Sequence, residues 1–129
     1  MPSSIGSVAL LVTDYEQALD FYVEKLDFVV VEDLESEMGR WLLIAPNKTS
    51  QTRVQLLKAS AQDEAVVGSQ AGSSVLMIFE TEDFWSDYEK FKQRDIVFLE
   101  EPRVEPYGTV VIFEDLYGNK FDLIQPAKS

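Results

Sequence analysis

The sequence contains no cysteine and no histidine. Without cysteine there can be no disulfide, thiolate nucleophile or thiolate metal site. Without histidine the commonest general base and the commonest transition-metal ligand are both missing, and a Ser-His-Asp triad is excluded. Basic residues are few: 11 Lys and Arg stand against 23 Asp and Glu, a formal net charge of −12. That balance repels nucleic-acid phosphates and anionic membrane surfaces. It would draw in a cationic ligand, or it simply keeps the protein soluble. No apolar run approaches the ~20 residues of a membrane span. Met1-Pro2-Ser3-Ser4 lacks the basic and apolar regions of a signal peptide. A cytoplasmic protein with neither nucleic-acid nor membrane partner is the expectation.

What is present is an ordinary globular composition, 46% hydrophobic and 26% charged over 129 residues, enough for one domain with a sizeable core. The chain also reads itself twice. Ser7-Val8-Ala9-Leu10-Leu11-Val12 is echoed by Ser74-Val75-Leu76-Met77-Ile78-Phe79, and Arg53-Val54-Gln55-Leu56-Leu57 by Lys120-Phe121-Asp122-Leu123-Ile124, each at a step of 67 residues. Two copies are too few for a solenoid. They suggest two small α+β modules, 5–58 and 73–126, joined by a small, polar connector at 59–72 and forming a single domain.

In the first module, Ser7 to Val12 reads as a buried strand. Asp14 is an N-cap with Gln17 three residues on. Ala18, Phe21, Tyr22 and Leu26 then mark the inner face of a helix over 15–26. Strands are expected at 28–31, 40–45 and 52–57, with the acidic stretch 32–38 as a hairpin turn or loop. The second module repeats the order. It has a strand at 73–79, a helix capped by Thr81 or Asp83 with Phe84, Tyr88 and Phe91 inward, and strands at 96–99, 109–113 and 120–124. Gly118 supplies a positive φ in the turn Asp115-Leu116-Tyr117-Gly118-Asn119. The fold class is therefore α+β, two βαβββ modules forming a cupped mixed sheet.

Two stretches carry a family resemblance: Val12-Thr13-Asp14-Tyr15-Glu16-Gln17-Ala18-Leu19-Asp20-Phe21-Tyr22, and Tyr107-Gly108 followed by Phe113 to Leu123. They resemble the first strand-to-helix turn and the closing aromatic-Gly, Asp-Pro-x-Gly-Asn pattern of the vicinal oxygen chelate superfamily. Glyoxalase I, extradiol dioxygenases and bleomycin-resistance proteins belong to it. Leu116 stands where that family usually has proline. The resemblance implies paired modules lining a cup and, in metal-dependent members, four ligands from the first and last strand of each module. The matching positions are Ser7, Gln55, Ser74 and Asp122. Serine occupies both usual histidine positions, leaving one amide and one carboxylate. Catalytic divalent sites generally use about three imidazole, thiolate or carboxylate ligands, and Mg²⁺ or Ca²⁺ usually take more than one carboxylate. No cofactor is expected, with a divalent metal as the alternative.

The resemblance thus points to a metal-free small-molecule binder, like the antibiotic-sequestering members. Trp41, Tyr107 and Phe113 would be its walls and Ser7, Gln55, Ser74 and Asp122 its polar floor. Asp122 would hold a cationic amine, the small molecule being cationic or aromatic, and Arg40 would line the site. Trp85, beside Phe84 on a helix, reads either as a wall or as core or dimer interface. The alternative is an enzyme, a glyoxalase-like lyase or isomerase rather than a dioxygenase. It would use Asp122 as base with Glu114 nearby, and Arg40, Arg53 or Arg103 to steady an enolate. A third reading is a structural module whose cup has filled with side chains. Family analogy implies a homodimer.

Overall fold

The computed structural model describes residues 1–128. The chain divides into two compact units, Met1–Val67 and the residues from Gly68 onward. Each carries one four-stranded mixed sheet, so the fold is α+β.

In unit 1 the order is β1 (Ser7–Val12), α1 (Tyr15–Leu19), β2 (Val29–Ser36), β3 (Gly39–Ala45) and β4 (Arg53–Lys58), with sheet order β1-β4-β3-β2. β1 and β4 run parallel, while the other neighbours are antiparallel. Asp14 Oδ1 accepts from the Gln17 backbone N–H at 3.0 Å and starts the helix, as its position before Ala18 predicts. The second half of the expected helix is not α-helical: Asp20–Lys25 is a π-helical continuation. Its wider turn still brings Phe21 and Tyr22 into the core, where Tyr22 meets Phe21 and Phe28 edge-on at 5.2 and 5.6 Å. Below them, Leu10, Val12, Leu42, Ile44 and Leu56 are fully buried.

Unit 2 follows the same plan: β5 (Val75–Glu80), α2 (Phe84–Gln93), β6 (Arg103–Glu105), β7 (Gly108–Glu114) and β8 (Lys120–Pro126), in sheet order β5-β8-β7-β6. Asp83 caps α2 through the Ser86 N–H, and Phe84, Tyr88 and Phe91 are its buried stripe, as their i, i+4, i+7 spacing requires. Phe79, Phe91, Phe98, Phe113 and Phe121 form one ring cluster with centroids 4.9–6.3 Å apart. The units also share their helix exits. Asp27 and Asp95 both take left-handed backbone, at φ 62° and 61°, a conformation that aspartate tolerates better than most residues.

Two expectations are corrected. Residues 32–36 are strand rather than turn, because the exposed edge of the sheet accepts charged residues that a buried strand would not. Residues 96–99 form only an isolated bridge, Phe98 to Phe113, and the strand of that region is Arg103–Glu105 beyond Pro102. The turn at 115–119 forms as read. Asp115 Oδ1 accepts from the Tyr117 and Asn119 N–H groups, both at 2.9 Å, and Gly118 sits at φ 92°. Asn119 Nδ2 donates to Asp115 Oδ2 at 2.8 Å, so this buried pair closes the turn without the proline that Leu116 replaces.

Candidate functional site

Residues paired across a ladder point to the same face of the sheet, so register decides which candidates share a surface. In unit 1, Leu10, Val12, Val54, Leu56, Leu42 and Ile44 face α1. The far face, turned away from the helix, has three ranks. Ser7 lies beside Arg53, Ala9 beside Gln55 and Leu43, and Leu11 beside Leu57. Continuing the antiparallel register puts Ala45 beside Arg53 and Trp41 beside Leu57, with Leu34 next to Trp41 on β2. Ser7 and Gln55 therefore share the far face but stand one rank apart. The apolar rank is open to solvent: Leu34 is 58%, Trp41 41% and Leu57 39% exposed.

Arg40 belongs to the other face. Its guanidinium is bidentate to Asp33 at 2.8 Å, pairs with Glu16 at 3.0 Å and lies 5.2 Å from the centre of the Tyr15 ring. These partners raise its pKa above the usual arginine value, and Arg40 in turn lowers that of Asp33. The strand alternation that puts Leu42 and Ile44 on the helix side puts Arg40 there too. It clamps β2 and β3 to the start of α1 and leaves the group of ligand-lining residues.

In unit 2, Phe121, Leu123, Phe79 and Phe113 face α2. Phe113 is fully buried in the ring cluster, which corrects its expected place as a wall. The far face carries Asp122 between Ile78 on β5 and Ile112 on β7, with Glu114 and Lys120 one rank away. Arg103 is on the same face, opposite Val110. It donates to Glu100 and Glu105 at 3.1 Å and to the Tyr107 hydroxyl at 3.5 Å. Tyr107 stands 55% exposed in the β6–β7 turn, and its carbonyl accepts from the Ala127 N–H. Trp85 is 53% exposed on α2, edge-on to Phe84 and Tyr88.

Ser74 is displaced from the repeat. It precedes β5, and its N–H bonds to the Ala71 carbonyl in a turn. The ladder pairs Val75 with Lys120, then slips at Leu76 so that Ile78 stands opposite Asp122. The 67-residue step thus holds between β4 and β8, whose burial alternates identically over their first four residues, but not between the first strands. The residue that sits beside Asp122 is Ile78, and beside Gln55 it is Ala9.

Asp122 is half-buried, and its pKa is raised. Desolvation between its isoleucine neighbours is the main cause; Arg103 opposes it and Glu100 adds to it. Between the ordinary aspartate value and the raised one, the folded form holds a proton that the unfolded chain has released. The stability tied to this proton is present at lower pH and is lost as pH rises through the folded pKa. Asp122→Asn is therefore expected to melt higher than the parent at pH 7, by on the order of 1–3 °C, with the difference gone near pH 3. Thermal melts across pH check it. A parent more stable than the variant at pH 7 would mean that Arg103 outweighs desolvation.

Ser7, Gln55, Ser74 and Asp122 offer two hydroxyls, one amide and one carboxylate, a donor set that does not suit a catalytic divalent ion. No group of three or more His, Cys, Asp and Glu suited to a metal ion occurs among the described residues. None of the helices formed by those residues is long and apolar enough to cross a membrane.

Comparison with known proteins gives a consistent result. The family model described as the Glyoxalase/Bleomycin resistance protein/Dioxygenase superfamily matches residues 4–123. An uncharacterized protein of Shewanella frigidimarina is 41% identical over 128 residues, covering 97% of this chain and 95% of that protein. The crystal structure of UcmS2 superposes with a TM-score of 0.83 at 28% identity, over 96% of this chain and 98% of that one. TnmS3, described as an antibiotic binding protein from Streptomyces sp. CB03234, superposes with a TM-score of 0.82 at 29% identity, over 98% of both chains.

Proposed function

Because the chain belongs to the glyoxalase/bleomycin resistance protein/dioxygenase superfamily, we propose that it is a metal-free member that binds and sequesters a small molecule, of the kind an antibiotic represents. The far face of unit 1 carries this reading. It presents exposed Leu34, Trp41 and Leu57 one rank from the neutral Gln55, with Ser7 one rank further on. Apolar and aromatic area with a few polar groups is the composition of a binding surface. The likeness to TnmS3 supports the same class of ligand. In unit 2, Asp122 and the exposed Tyr107 would receive a cationic or aromatic group.

A homodimer belongs to the proposal. Trp85, 53% exposed on α2 and away from these surfaces, is aromatic area that a second copy would cover.

Metal analysis of protein purified without chelator, joined to a thermal-shift series with aromatic antibiotics, tests the reading. The expected result is less than about a tenth of an equivalent of divalent metal, no change on adding EDTA, and a rise of several degrees with a bound ligand. A tightly held stoichiometric ion would sink it. The second reading, a lyase or isomerase, is favoured by one observation: the raised pKa of Asp122 suits a general base better than that of an ordinary aspartate. Turnover of the hemithioacetal of methylglyoxal and glutathione, lost in Asp122→Asn, would select it.

A further inference from the structure

The Asp122 carboxylate has no hydrogen-bond partner among the described residues, although two cations share its face of the sheet, each one rank away. Both are occupied elsewhere. Lys120, two residues earlier on β8, gives its Nζ to the Ser73 carbonyl at 3.1 Å. Arg103, on β6, gives its guanidinium to Glu100 and Glu105, also at 3.1 Å. By strand geometry the Arg103 and Asp122 backbones are on the order of 12 Å apart, a span that the two side chains can bridge. An ion pair with Arg103 would offset the desolvation that Asp122 suffers between its isoleucine neighbours. The fold forgoes that pair and binds Arg103 on the other side.

What holds Arg103 is itself anchored. Residues 96–99 make a single bridge to β7, and the Ile112 N–H donates to the Glu100 carboxylate at 3.2 Å. Glu100 thus accepts a backbone donor and the Arg103 Nε together, while Glu105 accepts Nη1. Around Asp122 the surface is open. The Leu99 N–H bonds to the Ile112 carbonyl beside the Phe98–Phe113 bridge, which sets Leu99 next to Ile112 on the far face. One rank therefore runs Ile78, Asp122, Ile112, Leu99. Its two ends are 63% and 43% exposed, and Asp122 and Ile112 are each partly open to solvent.

We propose that Glu100 and Glu105 are positioning residues: by holding Arg103 they keep it off Asp122, which leaves that carboxylate to the ammonium group of a ligand with apolar arms. The ammonium donates to Asp122. A short arm lies on Ile78, one strand to one side, and a longer arm on Ile112 and Leu99, about 5 and 10 Å to the other. Arg103 is then a built-in competitor for the ligand's place, and the two glutamates decide which cation Asp122 receives. This rests on the small-molecule reading above and names, for unit 2, the ligand class and the residues that keep its site open.

The test uses N-benzylbutylamine and its neutral analogue N-butylbenzamide, titrated calorimetrically at about pH 7. The proteins are the parent, Arg103→Gln, the double variant Glu100→Gln/Glu105→Gln, and the triple variant that adds Arg103→Gln to that pair. The parent is expected to bind the amine at least about tenfold more tightly than the amide. Arg103→Gln should stay within about twofold of the parent, because the guanidinium it removes is already held aside. The double variant should lose about tenfold in amine affinity, and the triple variant should regain most of it. In a crystal structure of the double variant, Arg103 should stand within hydrogen-bond distance of Asp122. Glutamine at position 100 can still accept the Ile112 N–H, so the double variant should melt within about 3 °C of the parent. That separates lost positioning from lost folding. An amine bound no more tightly than the amide, a double variant with the parent's affinity, or an Arg103 that stays away from Asp122 in it would each overturn the arrangement and leave the small-molecule reading intact. Failure of both probes to bind the parent would overturn it too, and would take the small-molecule reading with it if the antibiotic series also fails.

Discussion

Phe113→Ala is expected to cost unit 2 about 3–5 kcal/mol, a large share of the ~5–15 kcal/mol that hold a domain folded. Phe113 is fully buried, and its ring touches those of Phe79, Phe91, Phe98 and Phe121. It therefore ties β5, α2, the segment before β6, and β8 to β7. Truncation leaves a cavity whose walls are rings held by other rings, so collapse onto the gap is limited. Native-state hydrogen exchange is the measurement. Amides of Val111 and Leu123 should exchange about 10²–10⁴ times faster in the variant. A loss below about 1 kcal/mol would show that the cluster repacks, and that Phe113 is less central than its burial indicates.

Gly108→Ala should be nearly as damaging, on the order of 3 kcal/mol, for a backbone reason. Gly108 sits at φ 152°, and a Cβ built there would fall 2.4 Å from the Gln125 carbonyl oxygen and 3.0 Å from Pro126 Cα. Both obstacles are backbone atoms of β8, which cannot swing aside as a side chain could. The substitution would have to open the β7–β8 ladder at its Gly108–Pro126 end, where the Ala127 N–H also bonds to Tyr107. Urea melts should show a lower midpoint. A variant as stable as the parent would mean that this end of the ladder is already loose.

The same glycine shows what was legible in the sequence. The Tyr107-Gly108 pair stood out as a motif, and the close strand approach explains why only glycine fits. The helix caps and the buried stripe of α2 were legible because a cap is a local contact and a stripe is a local period. The far face was not. Val110 to Phe113 is apolar at every position, so no alternation says which side Phe113 takes, and only the pairing with β8 does. Arg40 misled for a related reason. Its partners Asp33 and Glu16 lie 7 and 24 residues away, on elements whose approach a linear pattern does not encode. Ser74 falls before the first ladder pair, Val75 with Lys120, and the further slip at Leu76 sets Ile78 rather than Leu76 opposite Asp122; nothing in the run Val75 to Phe79 marks either shift.

One further property follows from the parallel pairs β1–β4 and β5–β8, which make the first and last strands of each unit neighbours. During synthesis, β1 waits some forty residues for its partner, and loop closure over that span comes before any reward from the ladder. Unit 1 can finish its sheet once Lys58 has emerged, while unit 2 is still being made. Unit 2 has no such lead. β8 lies between β5 and β7, and until Lys120–Pro126 joins them, each exposes an unpaired edge. A unit 2 in which β8 has not yet docked is therefore the form of the chain most prone to aggregate, and Lys120–Pro126 ends that exposure.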